Sequence, residues 1–133
     1  MSEVNYWTSK EALEFGDLPK SLAIIGGGVI GIEFASFFNS MGVEVNVIEM
    51  MPEILGVMDK ETSAMLRSDY AKRGIKFHLN TKVTEVTKKG VVVEKNGKTQ
   101  TIESEKILVS VGRRAITPGF GLEALNVELL KNG

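Results

Sequence analysis

The chain has 133 residues, of which 43% are hydrophobic and 25% are charged, a composition that fits one globular domain and excludes a disordered tail. Its net charge of −1, without a basic block, argues against nucleic acid or an anionic membrane as the main partner. Because the sequence has no cysteine, disulfides, thiolate metal sites and a cysteine nucleophile are excluded within the chain.

The first ten residues lack a basic segment followed by an apolar one, so we predict no secretory signal. The lack of cysteine is compatible with the reducing cytoplasm, and we expect a cytoplasmic protein. The stretch 22–41 is apolar, but it contains four glycines and the charged Glu33. A carboxylate near the centre of a membrane span is costly, so we predict a buried strand and helix there instead.

The first half of the chain alternates between buried strands and helices. A short helix is predicted at residues 9–14, with Ser9 as its cap. Continuous or alternating apolar runs then predict strands at residues 21–25, 44–48 and 75–79. Helical patterns that end at glycines predict helices at residues 29–41 and 59–73, the second capped by Asp59. This order is typical of a βαβαβ unit with a parallel sheet.

The second half has a different pattern, with three short strands at residues 82–87, 91–95 and 99–103. Asn96-Gly97 between two of them is a strong hairpin signal. A further buried strand is predicted at residues 106–111, and the tail 121–130 is expected to hold a helical turn and an edge strand. We therefore predict a single α/β domain over residues 1–133, a Rossmann-like βαβαβ parallel sheet with an inserted antiparallel three-stranded β-meander.

A glycine-rich sequence joins the first predicted strand to the helix that follows, and it fits the pattern G-x-G-x-x-G: Gly26, Gly27, Gly28, Val29, Ile30 and Gly31. Gly26 permits the tight turn, Gly28 allows the backbone to approach a pyrophosphate, and Gly31 allows the helix to pack closely on the sheet. The unpaired N–H groups of the first helical turn then face the phosphates. The pattern predicts a dinucleotide-binding turn.

Glu49 ends the second predicted strand, eighteen residues after Gly31. A carboxylate there accepts hydrogen bonds from ribose hydroxyls and repels a 2′-phosphate. Met50 and Met51 offer no cation, and the nearest basic residue in sequence is Lys60, so NAD is preferred over NADP. FAD in place of NAD stays an alternative, because the same pattern also serves flavin adenine dinucleotide.

Several stretches together resemble the NAD-binding domain of dihydrolipoamide dehydrogenases, flavoproteins of the pyridine nucleotide–disulfide oxidoreductase family. These stretches are residues 26–33, 47–49, 80–84, 109–114 and 121–123, and the similarity covers about residues 9–130. One departure is Ala115, where the family usually has a proline after the paired arginines Arg113 and Arg114.

The resemblance implies roles for individual residues. The turn from Gly26 to Gly31 would hold the pyrophosphate, and Val29 stands where some relatives carry a tyrosine that gates the nicotinamide pocket. The remaining implied contacts are Glu33 near the nicotinamide and the flavin of a neighbouring domain, Glu49 on the ribose, Val83 on the adenine side, and Gly112 at the nicotinamide end. From the residues alone, Glu33 is also expected to face the ligand side, to pair with a cation, or to interact with the helix N-terminus.

The resemblance further implies that the chain is one part of a longer FAD-containing enzyme. The family's chemistry needs an FAD domain with a cysteine pair and a dimerisation domain with a histidine–glutamate pair. Such a parent would be a homodimer that serves 2-oxoacid dehydrogenase complexes, oxidising dihydrolipoamide and reducing NAD. In this chain we expect no catalytic and no metal-ligating residue, and His78 is interpreted as a core or edge imidazole. The alternatives are a related NADH oxidase or mercuric reductase, and a standalone nucleotide-binding module.

The core is predicted from helical periodicity and residue type. The predicted buried face of the helix at residues 59–73 includes Met65, Leu66 and Tyr70. The phenylalanines of the preceding helix and the methionines of the chain are also predicted to be core residues. Arg113 and Arg114 are expected either to meet the cofactor or to be solvated.

Overall fold

The computed structural model describes residues 6–131, and its elements alternate as the sequence predicts. Its first half contains α1 Ser9–Leu13, β1 Ser21–Ile25, α2 Val29–Ser40, β2 Glu44–Ile48, α3 Lys60–Lys72 and β3 Lys76–His78. The second half contains β4 Lys82–Thr87, β5 Gly90–Lys95, β6 Lys98–Glu103, β7 Lys106–Val109 and a 3₁₀ turn at Glu123–Leu125. The predicted α/β fold is confirmed.

The main sheet is parallel and has the strand order β3-β2-β1-β7. The chain runs outward from β1 to β3 on one side and returns to the other side with β7, so the strand order reverses beside β1. Ile25, the last residue of β1, is in register with Ile48 of β2 and Val109 of β7. Three carboxyl ends therefore meet at one edge, at the kind of switch point where doubly wound sheets bind ligands.

The parallel sheet is covered on both faces, which explains its continuous apolar strands. On one face, Leu22 and Ile24 of β1 belong to a buried cluster with Phe38 of α2. On the other face, Ala23 and Ile25 pack in a second cluster with apolar residues of β5 and β6. The second cluster joins the antiparallel sheet β4-β5-β6 to the parallel one. The molecule thus has a helical layer, a parallel sheet and an antiparallel sheet.

The hairpin between β5 and β6 forms at the predicted turn. Asn96 and Gly97 have φ of 52° and 74°, the left-handed conformation that a tight hairpin turn of this kind requires. Residues Lys95 and Lys98 are directly opposite each other in the ladder. The inserted three-stranded meander is confirmed.

Some predicted element ends are wrong. Thr8, not Ser9, caps α1, because its side chain accepts the Lys10 N–H while Glu11 accepts the Thr8 N–H at 2.8 Å. The strand predicted at residues 106–111 stops at Val109, in register with the end of β1, and positive φ at Gly112 turns the chain away. Within the described residues, the tail 121–130 contains the 3₁₀ turn but no strand.

Part of the predicted core is also wrong. Met65 is 68% exposed, while Leu66 and Tyr70 of the same helix do pack against the core. In α2, Phe38 is fully buried and Phe37 is 47% exposed. The described methionines are all exposed: Met41, Met50, Met51, Met58 and Met65. Periodicity could not locate the buried face of α2, because this helix is apolar on nearly every side.

Candidate functional site

The turn between β1 and α2 and the first turn of α2 each require a glycine for packing reasons. Gly26 has φ of 108°, and a Cβ there would lie 2.5 Å from the carbonyl oxygen of Ser110. At Gly31, a Cβ would overlap the carbonyl oxygen of Gly26 and lie 2.8 Å from Ser110 Oγ. The backbone of Ser110 therefore packs directly on Gly26, and the backbone of Gly26 packs directly on Gly31. A side chain at either glycine would separate these segments. These are the roles that the glycine spacing predicts.

Gly28 is in a different environment. It is the N-cap of α2, it is exposed, and its φ of −73° suits any residue. A Cβ built on Gly28 meets no atom of residues 6–131 within 4 Å. No side chain from the described part of the chain caps the first turn of α2. The glycine therefore leaves open space in front of uncapped N–H donors, an arrangement that suits an anion.

The Glu49 carboxylate is held at the mouth of this turn. Its Oε2 accepts the N–H of Gly27 at 2.7 Å, and its Oε1 accepts the N–H of Met51 at 2.8 Å. Each carboxylate oxygen has a further lone pair, so Glu49 is oriented and can still accept hydrogen bonds from a ligand. Because the Gly27 N–H points to Glu49 Oε2, Gly27 contributes to the site by positioning the carboxylate.

Two adjoining cavities lie along the carboxyl edge of the parallel sheet, with volumes of about 300 and 350 Å³. Gly26, Glu49 and Val111 line both, so the cavities form one groove across the ends of β1, β2 and β7. The first cavity lies against the start of α2, and the second lies against the start of β4. A groove of this kind can receive an elongated ligand with its middle at the helix N-terminus.

Most of the predicted site residues surround this groove. Seven of them line it: Gly26, Gly28, Val29, Ile30, Glu49, Val83 and Gly112. Gly27 of the β1–α2 turn and Gly31 of the first turn of α2 are buried and line neither cavity. Glu33 is exposed on α2 and lines neither cavity. Arg113 and Arg114 are also exposed and line neither cavity.

Sequence reasoning missed Ser110 and Lys82. The Ser110 hydroxyl lies 3.2 Å from the carbonyl oxygens of Ile25 and Gly26, so it ties the end of β7 to the glycine turn. Lys82 lines the second cavity beside Glu49, because the N–H of Thr81 donates to the carbonyl oxygen of Glu49 at 3.0 Å. Lys82 is distant from Glu49 in sequence and comes near it only through the fold. The expected pairing of the second and third parallel strands could have revealed Lys82.

His78 lies at the edge of the parallel sheet, one of the two environments predicted for its imidazole. It lies on the edge strand β3, and its Nε2 is 2.9 Å from Oδ1 of the buried Asn46. Burial lowers the pKa of His78, and the charges of Lys95 and Lys76 lower it further.

Across residues 6–131, no group of three or more His, Asp or Glu side chains could hold a metal ion. No helix in that range is long and apolar enough to cross a membrane.

The fold and the groove define a class of protein: α/β domains with a parallel sheet whose strand order reverses, and a glycine turn at that switch point. Comparison with known families then gives the particular assignment. The chain belongs to the pyridine nucleotide-disulphide oxidoreductase family, which matches residues 1–133.

Individual relatives agree with this assignment. The chain is 45% identical over 127 residues to a dihydrolipoyl dehydrogenase of Rhizobium etli, covering 92% of this chain and 26% of that protein. It is 43% identical over 132 residues to the dihydrolipoyl dehydrogenase of Bacillus subtilis, covering 95% of this chain and 28% of that protein. Among solved structures, the HOCl-induced flavoprotein disulfide reductase RclA of Escherichia coli superposes with a TM-score of 0.79 at 25% identity, covering 96% of this chain and 29% of that one. The chain thus spans less than a third of each relative.

Proposed function

We propose that the chain is the NAD(H)-binding domain of a longer flavoprotein that oxidises dihydrolipoamide. The observation that carries this proposal is the Glu49 carboxylate, fixed by Gly27 and Met51 at the mouth of an uncapped helix N-terminus. Diphosphate and ribose are neighbouring groups of a dinucleotide, and the turn presents donors and an acceptor in that order. The similarity to dihydrolipoyl dehydrogenases supports the choice of parent enzyme.

The groove suggests which residues hold each part of the nucleotide. The diphosphate would lie against Gly28 and the first-turn N–H groups, because an anion there faces the positive end of the helix dipole. The ribose hydroxyls of the adenosine half would donate to Glu49. The adenine would occupy the second cavity, where Met50 and Val83 supply apolar surface. The nicotinamide half would occupy the first cavity between Val29 and Gly112.

The preference for NAD over NADP would be set by two opposing charges. Glu49 repels a 2′-phosphate, and its two backbone hydrogen bonds prevent the carboxylate from turning away. Lys82 lies in the same cavity and would attract that phosphate. Because two backbone hydrogen bonds hold the Glu49 carboxylate and Lys82 is exposed on a flexible four-carbon stem, we expect Glu49 to dominate. The proposal is therefore NAD selectivity with the Glu49 charge as its source.

In the proposed parent enzyme, Gly28 and Glu49 would hold the NAD, which would supply the hydride acceptor for the flavin chemistry. The residues of this chain bind and orient the nucleotide, and the cysteine pair and the FAD and dimerisation domains lie in the rest of the parent. We place that parent, as a homodimer, in cytoplasmic 2-oxoacid dehydrogenase complexes. The likeness to RclA also keeps a different disulfide reductase as a second candidate. The two differ in substrate, so dihydrolipoamide-dependent reduction of NAD by the full-length parent distinguishes them.

Calorimetric titration of the chain with NADH, NADPH and FAD tests the proposal. We expect NADH to bind more tightly than either of the others. Glu49→Gln should weaken NADH binding by about tenfold, because it removes a charged hydrogen-bond acceptor worth about 1.5 kcal/mol. Asp69→Asn is a matched control, since it removes the same charge from an exposed carboxylate that pairs with Arg73. Tighter binding of FAD than NADH, or equal affinity in Glu49→Gln and wild type, would contradict the proposal.

A further inference from the structure

We propose that Glu53 and Arg67 are positioning residues of the nucleotide site, which hold the segment after β2 against the glycine turn. This inference rests on the proposed NAD(H) site. It assigns a role in binding to two side chains that line neither cavity of the groove.

Both backbone polar groups of Gly27 are hydrogen-bonded. Its N–H donates to Glu49, and its carbonyl oxygen accepts the N–H of Leu55 at 2.8 Å. Ile54 is 1% exposed, and its Cγ2 lies 3.1 Å from the position that a Cβ on Gly27 would take. The segment 53–55 therefore covers Gly27 closely. Any shift of this segment moves Gly27, whose N–H orients Glu49.

The conformation of this segment needs support. Leu55 has φ of 52°, in the left-handed region that a leucine rarely adopts. Two residues earlier, both oxygens of Glu53 pair with Arg67, at 2.7 Å to Nε and 3.0 Å to Nη2. Glu53 Oε1 also accepts the N–H of Ile54 at 3.0 Å. The carboxylate thus ties the backbone just before Leu55 to helix α3.

The pair is partly buried and charged at neutral pH. The side chains of Glu53 and Arg67 are 22% and 32% exposed, and the hydrogen bond from Arg67 lowers the pKa of Glu53. A bidentate pair of this kind is stronger and more directional than an exposed one. At the C-cap of the same helix, Arg73 makes one ion-pair contact to Asp69 with both side chains more than half exposed, and its guanidinium lies 5.3 Å from the centroid of the Tyr70 ring. That second pair provides a matched control.

The experiment measures two properties of Arg67→Met, Arg67→Lys, Glu53→Gln and the control Arg73→Met. The first is the Kd for NADH by calorimetry. The second is amide hydrogen exchange at Gly27 and Leu55 in the nucleotide-free chain, measured by NMR. We expect Arg67→Met and Glu53→Gln to raise the Kd about fivefold and to speed exchange at both amides by about the same factor. Arg67→Lys should be intermediate, because lysine keeps the charge but not the bidentate geometry.

Arg73→Met should match wild type in both properties. A wild-type Kd in Arg67→Met and Glu53→Gln, or exchange at Gly27 and Leu55 no faster than in Arg73→Met, overturns the inference. If Arg67→Met does not fold, Arg67→Lys and Glu53→Gln decide the question. Failure of the wild-type chain to bind NADH would refute the proposed function instead, and the exchange measurement would still show whether the pair holds the glycine turn.

Discussion

Gly28 and Gly31 offer a pair of substitutions that separates ligand binding from folding. Gly28 is the N-cap of α2 and Gly31 lies in its first turn, and each changes to alanine by the addition of one methyl group. A Cβ at Gly28 meets open space, while a Cβ at Gly31 overlaps the Gly26 carbonyl oxygen. We therefore expect Gly28→Ala to weaken nucleotide binding with little effect on stability, and Gly31→Ala to destabilise the fold.

The structure sets the expected magnitudes. Gly28 has φ of −73°, so alanine there is unstrained, and the loss of a favourable N-cap residue costs roughly 0.5 kcal/mol. The new methyl group would keep a diphosphate away from the first-turn N–H groups. Weakening one charge-assisted hydrogen bond costs about 1.5–3 kcal/mol, which raises the Kd for NADH roughly 10- to 100-fold. At Gly31, overpacking against backbone costs about 1–3 kcal/mol in the free energy of unfolding.

Urea unfolding and calorimetric titration with NADH, carried out on both variants and on wild type, provide the two readouts. The reasoning predicts that Gly28→Ala keeps its unfolding midpoint close to wild type and loses affinity. Gly31→Ala should unfold at a lower urea concentration than wild type. Its affinity for NADH is measured without urea, where the variant is folded. A Gly28→Ala chain that binds NADH as tightly as wild type would refute the placement of the diphosphate at this helix N-terminus.

Two further predictions concern Lys82 and His78. Lys82→Met, made in the Glu49→Gln background, should weaken NADPH binding more than NADH binding in calorimetry, because only NADPH carries the 2′-phosphate that Lys82 would attract. Equal effects on both nucleotides would contradict the role given to Lys82. His78 has a pKa below its usual 6.5, so the folded chain binds fewer protons there than the unfolded chain, and stability should fall as pH drops from about 6.5 towards the lowered pKa. His78→Gln should remove that part of the pH dependence in thermal unfolding, and an unchanged profile would contradict it.

The fold was largely predictable because its local signals agree with one another. Apolar runs that end at glycines mark β1 and α2, an apolar run after Gly42 marks β2, and Asn96-Gly97 marks the hairpin. The glycine turn and Glu49 were predictable for the same reason, since the strand, the turn and the helix each require particular residue types. These signals lie within a few residues of the feature they specify.

The features that sequence reasoning missed depend on contacts between distant segments. Lys82 approaches Glu49 only because Thr81 bonds to the backbone at the end of β2. The pairing of Glu53 with Arg67 joins a loop to a helix fourteen residues away, and no local pattern marks it. The exposure of Met65 follows from which side of α3 meets the sheet. Periodicity gives a helix an apolar stripe, but tertiary packing decides how much of it is covered.

An NMR titration of the chain with NAD tests the central claim most directly, because it maps the bound nucleotide onto individual backbone amides. The account predicts that the largest shifts occur at residues 28–31, at Glu49 and Met51, and at Val83 and Gly112. Shifts concentrated at the β5–β6 hairpin, or none at the start of α2, would contradict it.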